Sequence, residues 1–138
     1  MVIANGRRPN VIHEVLDGTA PMTLFQAGNG GMSQRKRWIA FGRSTRGVIQ
    51  VDDGAREALL CKGRSLLAAG IINVIGTFEM GASVRIDDTR GHSIACGLVN
   101  YSSDDIKRIQ GRKSREIQTI LGRKDFDEVI HRDNLVLL

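Results

Sequence analysis

The sequence predicts a mainly β fold with short helices, a small mixed β-barrel, preceded by a short β-α remnant of an α/β domain. Two observations carry this expectation. Glycine is frequent (16) and proline rare (2) in a chain of 138 residues, which favours many turns between short strands. Apolar runs are short, and helical spacing persists for only a few turns at a time.

Taken in order, Met1–Ala4 is a short apolar run and reads as a strand. Asn5-Gly6-Arg7-Arg8-Pro9 turns the chain, and Asn10 is a suitable helix N-cap. Val11, Ile12, Val15 and Leu16 share one helical face that Gly18 closes. One strand and one helix cannot bury that face, so residues 1–26 read as the end of a larger α/β domain. Residues 27–32 read as a linker. Their Gly-rich run, Gly28-Asn29-Gly30-Gly31, lacks the spacing of either nucleotide-phosphate loop, and no helical pattern follows it.

Residues 33–138 then form the second domain. Arg37–Gly42 and Gly47–Val51 read as strands. Asp52 or Asp53 caps a helix with Ala55, Ala58, Leu59 and Cys61 inward, which Gly63 ends. Ile72, Val74 and Phe78 are placed on one strand face, with a bulge or bend at Gly76. Val84 and Ile86 belong to the next strand, and Ile94, Cys96 and Leu98 alternate along another. Gly81 and Gly91 supply turns. Ser102 precedes a helix carrying Ile106 and Ile109; Ser114 precedes one carrying Ile117, Ile120 and Leu121, which Gly122 terminates. Val129-Ile130 and Leu135–Leu138 close the chain, joined by a polar link.

Composition excludes several function classes. With 41% hydrophobic and 25% charged residues the chain is not a disordered tail. Aromatics at 4% are too few for a base-stacking platform. No apolar run reaches the roughly 18 residues of a membrane span, and no signal pattern is present, so a cytoplasmic protein without membrane contact is expected. Cys61 and Cys96 are isolated and read as two buried free thiols. His13, His92 and His131 sit in different elements, and no metal site follows from them. Asp52-Asp53 and Asp104-Asp105 both fall at helix starts, where the helix dipole accounts for them. His131-Arg132-Asp133-Asn134 shares its letters with a protein-kinase catalytic loop. The matching Asp125-Phe126-Asp127 precedes it instead of following, and no glycine loop or strand lysine lies upstream.

The net charge of +5 is concentrated at the front. Residues 1–50 hold seven bases against two acids, and the rest cancels, 13 against 13. Between Ala27 and Val51, Arg35, Lys36, Arg37, Arg43 and Arg46 face no acid in sequence. Such a stretch is a candidate surface for RNA phosphates or for a partner.

The run from Asp52 to Ile71, with a helix, a glycine, Ser65-Leu66-Leu67 and a second glycine before a strand, resembles the core of the PUA domain. Val74-x-Gly76-x-Phe78-x-x-Gly81 continues that pattern. Ala69 replaces a frequent proline and Ala82 a frequent aspartate. Arg35–Ala40, Gly97–Ser103, Gly111–Ile117 and Val129–Leu137 resemble more narrowly the C-terminal PUA domain of the glutamate 5-kinase family, and residues 2–25 the last strand and helix of its amino-acid-kinase domain.

This resemblance implies a fold of PUA type. It implies a parent enzyme that transfers the γ-phosphoryl group of ATP, with Mg²⁺, to L-glutamate in the committing step of proline biosynthesis. The family's phosphate- and glutamate-binding residues have no counterpart here, so no catalytic, cofactor or metal residue is carried over. The domain is expected to be a regulatory or structural appendage; an RNA-binding module is the alternative. By analogy with RNA-binding PUA domains, Lys62, Gly63, Arg64, Ser65 and Leu66, with Val129–Arg132 on a neighbouring strand, match their groove; of these Lys62, Gly63, Arg64, Ser65 and Arg132 join the basic stretch as a candidate RNA or partner surface. The implied partners are the kinase domain and a second copy of the chain, with weak RNA binding besides.

Overall fold

The computed structural model describes residues 1–25, 36 and 44–138. The chain divides into two compact units, Met1–Gly31 and Met32–Leu138. The segments read as linker and as the strand Arg37–Gly42 lie outside the described residues.

In the first unit, β1 (Val2–Ala4) and β2 (Met22–Leu24) pair antiparallel, Ile3 opposite Thr23, with α1 (Val11–Leu16) between them in sequence. Strand β2 is absent from the sequence reading, because Met22-Thr23-Leu24 is too short to show alternation. Asn10 adopts φ 58° and its side chain makes no capping hydrogen bond, which corrects its expected role. Within this unit the apolar face of α1 stays largely uncovered: Ile12 is 72% and Leu16 78% exposed, and Val11 and Val15 are half-buried.

In the second unit, a five-stranded sheet is ordered β4-β3-β5-β6-β7. Its strands are β3 (Gly47–Val51), β4 (Ile71–Gly76), β5 (Ser83–Asp87), β6 (Ser93–Leu98) and β7 (Leu135–Leu137). Strands β3 and β5 run parallel and the other pairs antiparallel. The helices are α2 (Asp53–Lys62), α3 (Ser103–Ile109) and α4 (Ile117–Leu121), with 3₁₀ turns at Ala68–Gly70, Ser114–Glu116 and Arg132–Asn134. The main core has Ile49, Ile86, Leu66, Ile106, Ile117 and Ile130 fully buried among its members, and Cys96 and Val136 form a second, smaller cluster. This is the strand-rich, short-helix architecture expected of a PUA-type fold.

The β4 register corrects the sequence reading. Gln50 pairs with Asn73 but Val51 with Ile71, so the bulge falls at Ile72, while Gly76 ends the strand with φ 96°. The extra residue resets the alternation: Ile71 and Val74 turn inward while Ile72 is 49% exposed. Phe78 is buried but lies beyond the strand. Cys96 is buried, and burial pushes its thiol pKa up. Cys61 is exposed near the end of α2, contrary to expectation, because α2 turns only Leu59 fully into the core.

The turn between β5 and β6 is held by two buried carboxylates. Arg85 grips Asp87 through Nε (2.9 Å) and Nη2 (3.0 Å), and the Ser93 hydroxyl donates to the same carboxylate. Asp88 accepts the backbone N–H groups of Arg90 and His92, both at 2.9 Å. The His92 N–H is the main cause that holds the Asp88 carboxyl below the ordinary value of 3.8, against a smaller opposing effect of desolvation. A depressed folded pKa stabilises the fold above the unfolded value, and that contribution is lost as pH falls through the folded one. Wild type should therefore melt above Asp88→Asn at pH 7, and the gap should narrow below about pH 4. Paired thermal melts across pH 7 to 3 check this; a gap that widens on acidification would count against it.

Candidate functional site

Helix α2 builds one wall of the site. Its start is set by Asp52, whose side chain accepts the Ala55 N–H at 2.7 Å, and its end by Gly63, which takes the left-handed conformation at φ 55°. The chain then runs back through Arg64, Ser65 and Leu66. Leu66 and Ile130 form an antiparallel bridge, with N–H to carbonyl distances of 2.9 and 3.2 Å. The Arg132 N–H donates to Ser65 Oγ at 3.0 Å and extends that contact.

Between α2 and these segments lies a groove of about 680 Å³. Leu59 and Leu66 floor it, small residues such as Ala55 and Gly70 line its walls, and Arg64, Arg132, His131 and Glu128 stand at its edge. A Cβ at Gly70 would collide with that of Ala55, so the glycine permits the close approach of the Ala68–Gly70 turn to the helix. A second hollow of about 370 Å³ adjoins it and shares Leu59, Arg64 and Arg132; Lys36, Gly63 and Asp133 also line it. No aromatic side chain lines either hollow among the described residues.

The structure thus gathers Lys36, Gly63, Arg64, Ser65 and Arg132 around two adjoining hollows. Lys62 lines neither of them: it pairs with Glu57 at 2.9 Å, and its ammonium holds that carboxyl below the usual carboxylate range. Arg46 also lies elsewhere, donating its backbone N–H to the Ser83 carbonyl at the start of β3. Arg35, Arg37 and Arg43 lie outside the described residues.

Asp52 and Glu128 enter the site without having been expected there, and His131 enters from the expected 129–132 segment. Asp52 lines it from the helix start, and Glu128 and His131 from the segment before β7. His131 caps the Arg132–Asn134 turn, its Nδ1 accepting the Asp133 N–H at 3.2 Å, with Glu128 3.9 Å from its Nε2. The site is therefore mixed in charge: Asp52 stands at the start of α2 and Arg64 just past its end, while Glu128 and Arg132 belong to one neighbouring segment. Among the described residues no group of three or more His, Cys, Asp or Glu side chains could hold a metal. The adjacent Asp87 and Asp88 are taken up by arginine, hydroxyl and backbone donors. No described helix is long and apolar enough to cross a membrane.

Relatives of this chain are known. It is 47% identical over 138 residues to "Glutamate 5-kinase" of Synechococcus sp. (strain JA-3-3Ab), and 49% identical over 137 residues to the protein of that name from Geobacter sulfurreducens. The matches cover 100% and 99% of this chain but 37% of each relative's length. Among solved structures it is similar to a PUA domain from Aeropyrum pernix K1 in a tartrate complex, at 24% identity and a TM-score of 0.47, covering 63% of this chain and 41% of that one. A conserved PUA domain protein from Thermoplasma acidophilum matches at 23% identity and a TM-score of 0.43, covering 66% of this chain and 59% of that one. The PUA domain family matches residues 47–121, from the start of β3 to the end of α4 and so across most of the sheet and α2. On that match, the chain belongs to the PUA domain family.

Proposed function

We propose that this chain is the C-terminal part of a glutamate 5-kinase, with a PUA domain as a regulatory or structural appendage to the catalytic domain. The observation that carries the reading is identity near 47% across all 138 residues, including the first unit, which lies outside the PUA match. The whole enzyme would transfer the γ-phosphoryl group of ATP to the side-chain carboxylate of L-glutamate, opening proline biosynthesis. ATP and Mg²⁺ would be held by the catalytic domain and not by the residues described here.

The exposed Ile3, Ile12, Leu16 and Phe25 support a further part of the reading. An apolar face of this kind is suited to burial, and the sheet of the catalytic domain would cover it. Neither Cys61 nor Cys96 is in a disulfide, in keeping with a reducing cytoplasm.

A chimera tests the proposal. The matching 137 residues of the Geobacter sulfurreducens protein are replaced by this chain, and glutamate-dependent ATP turnover is measured. The chimera should keep activity within about tenfold of the parent, a cost of about 1.4 kcal/mol in barrier. A folded chimera without activity would contradict the reading.

A further inference from the structure

The antiparallel bridge between Leu66 and Ile130 has a consequence for charge. Together with the Arg132 N–H to Ser65 Oγ bond it holds the segment that carries Arg64 beside the one that carries Arg132. Both arginines line both hollows. Like charges gathered at one site repel, an effect that solvent reduces for these two exposed side chains without removing it. Arg64 makes no ion pair among the described residues, and Arg132 reaches only Asp133, at 4.0 Å.

We infer that Arg64 and Arg132 form an anion clamp, and that the groove beside them takes a small organic polyanion carrying carboxylate or phosphate groups. Two guanidinium groups can each offer a planar fork to an oxyanion, and a bound anion turns their repulsion into attraction. Ser65 holds the backbone of Arg132, so one arm of the clamp is anchored to the segment that carries the other. A volume of about 680 Å³ over Leu59 and Leu66 suits a small molecule. Asp52 and Glu128 line the same groove and would repel a chain of phosphates laid along it. The surface therefore favours a compact anion at the arginine end over RNA. This inference stands on the geometry alone and does not need the parent enzyme to be a glutamate 5-kinase.

The test uses the 138-residue chain with three probes at matched ionic strength: citrate, inorganic pyrophosphate and a short RNA duplex. Binding is followed by calorimetry and by the guanidinium Nε–H resonances of the two arginines. Saturable binding of citrate or pyrophosphate is expected, weakened at least tenfold by Arg64→Gln and by Arg132→Gln. Lys62→Gln should leave it within twofold. The tighter of the two probes identifies carboxylate or phosphate as the preferred group. Without ligand, Arg64→Gln and Arg132→Gln should melt no lower than wild type, since each removes repulsion. With ligand, only wild type should gain in Tm. Affinity for both small probes that is absent, or indifferent to the two arginines, would overturn the inference. So would arginine-dependent binding of the duplex alone, which would make the surface a nucleic-acid face.

Discussion

Gly97→Val should unfold the second unit at a temperature at least 10 °C below wild type. Gly97 sits inside β6, paired with Val84 on one side and Leu135 on the other, so the strand cannot move aside freely. A Cβ there would lie 2.8 Å from Ile130 Cγ2 and 2.9 Å from the Asn134 carbonyl oxygen. Ile130 is fully buried, and Asn134 belongs to the turn that carries Arg132. Overpacking of this kind costs about 1–3 kcal/mol or more, and each kcal/mol shifts the Tm of a domain this size by about 4–8 °C. Gly54→Ala is the matched contrast. Gly54 lies in α2, where a Cβ meets only Asp52 Oδ1 at 3.4 Å, so the helix should gain about 0.5–1 kcal/mol. Thermal melts of both variants by near-ultraviolet circular dichroism decide the matter. A Gly97→Val domain as stable as wild type would mean that β6 and the Ile130 segment do not meet as described.

That close contact also explains which parts of the fold are legible in the sequence. Helix α2 is legible because both its signals are local: Asp52 at the N-cap and Gly63 in the left-handed conformation. Ser102, which accepts the Asp105 N–H, marks α3 in the same way. The bulge at Ile72 is not legible. Nothing in Ile71-Ile72-Asn73-Val74 marks the extra residue, and only pairing against β3 reveals which isoleucine faces the core. Asn10 shows the converse, a residue of capping type whose own backbone is left-handed and whose side chain caps nothing.

The site divides in the same manner. Arg64, Ser65 and Arg132 are found through the resemblance of their segments to a PUA domain, and Lys36 through a basic run. Their proximity depends on the Leu66–Ile130 bridge, a contact across 64 residues that no local pattern encodes. Asp52, Glu128 and His131 line the groove for the same tertiary reason. Lys62 looks equivalent to Arg64 in sequence, yet it lies on the last turn of α2 and pairs with Glu57.

The 138-residue chain by itself should form no glutamyl phosphate. Phosphoryl transfer needs a cradle of backbone N–H groups, a lysine or arginine on the phosphates and a held metal ion. The sequence has neither of the glycine spacings that build such a cradle. Of the acids buried in the second unit, Asp87 is occupied by Arg85 and Ser93, and Asp88 by backbone N–H groups. Arg64 and Arg132 flank a groove whose other wall is α2, lined with small residues such as Ala55 and Ala58. The direct measurement is hydroxylamine trapping of acyl phosphate, with purified chain, ATP, Mg²⁺ and L-glutamate, at chain concentrations spanning two decades. The expected result is hydroxamate at the level of the protein-free control throughout. Hydroxamate that requires both ATP and glutamate and rises in proportion to the chain would contradict the assignment of this chain to a non-catalytic domain.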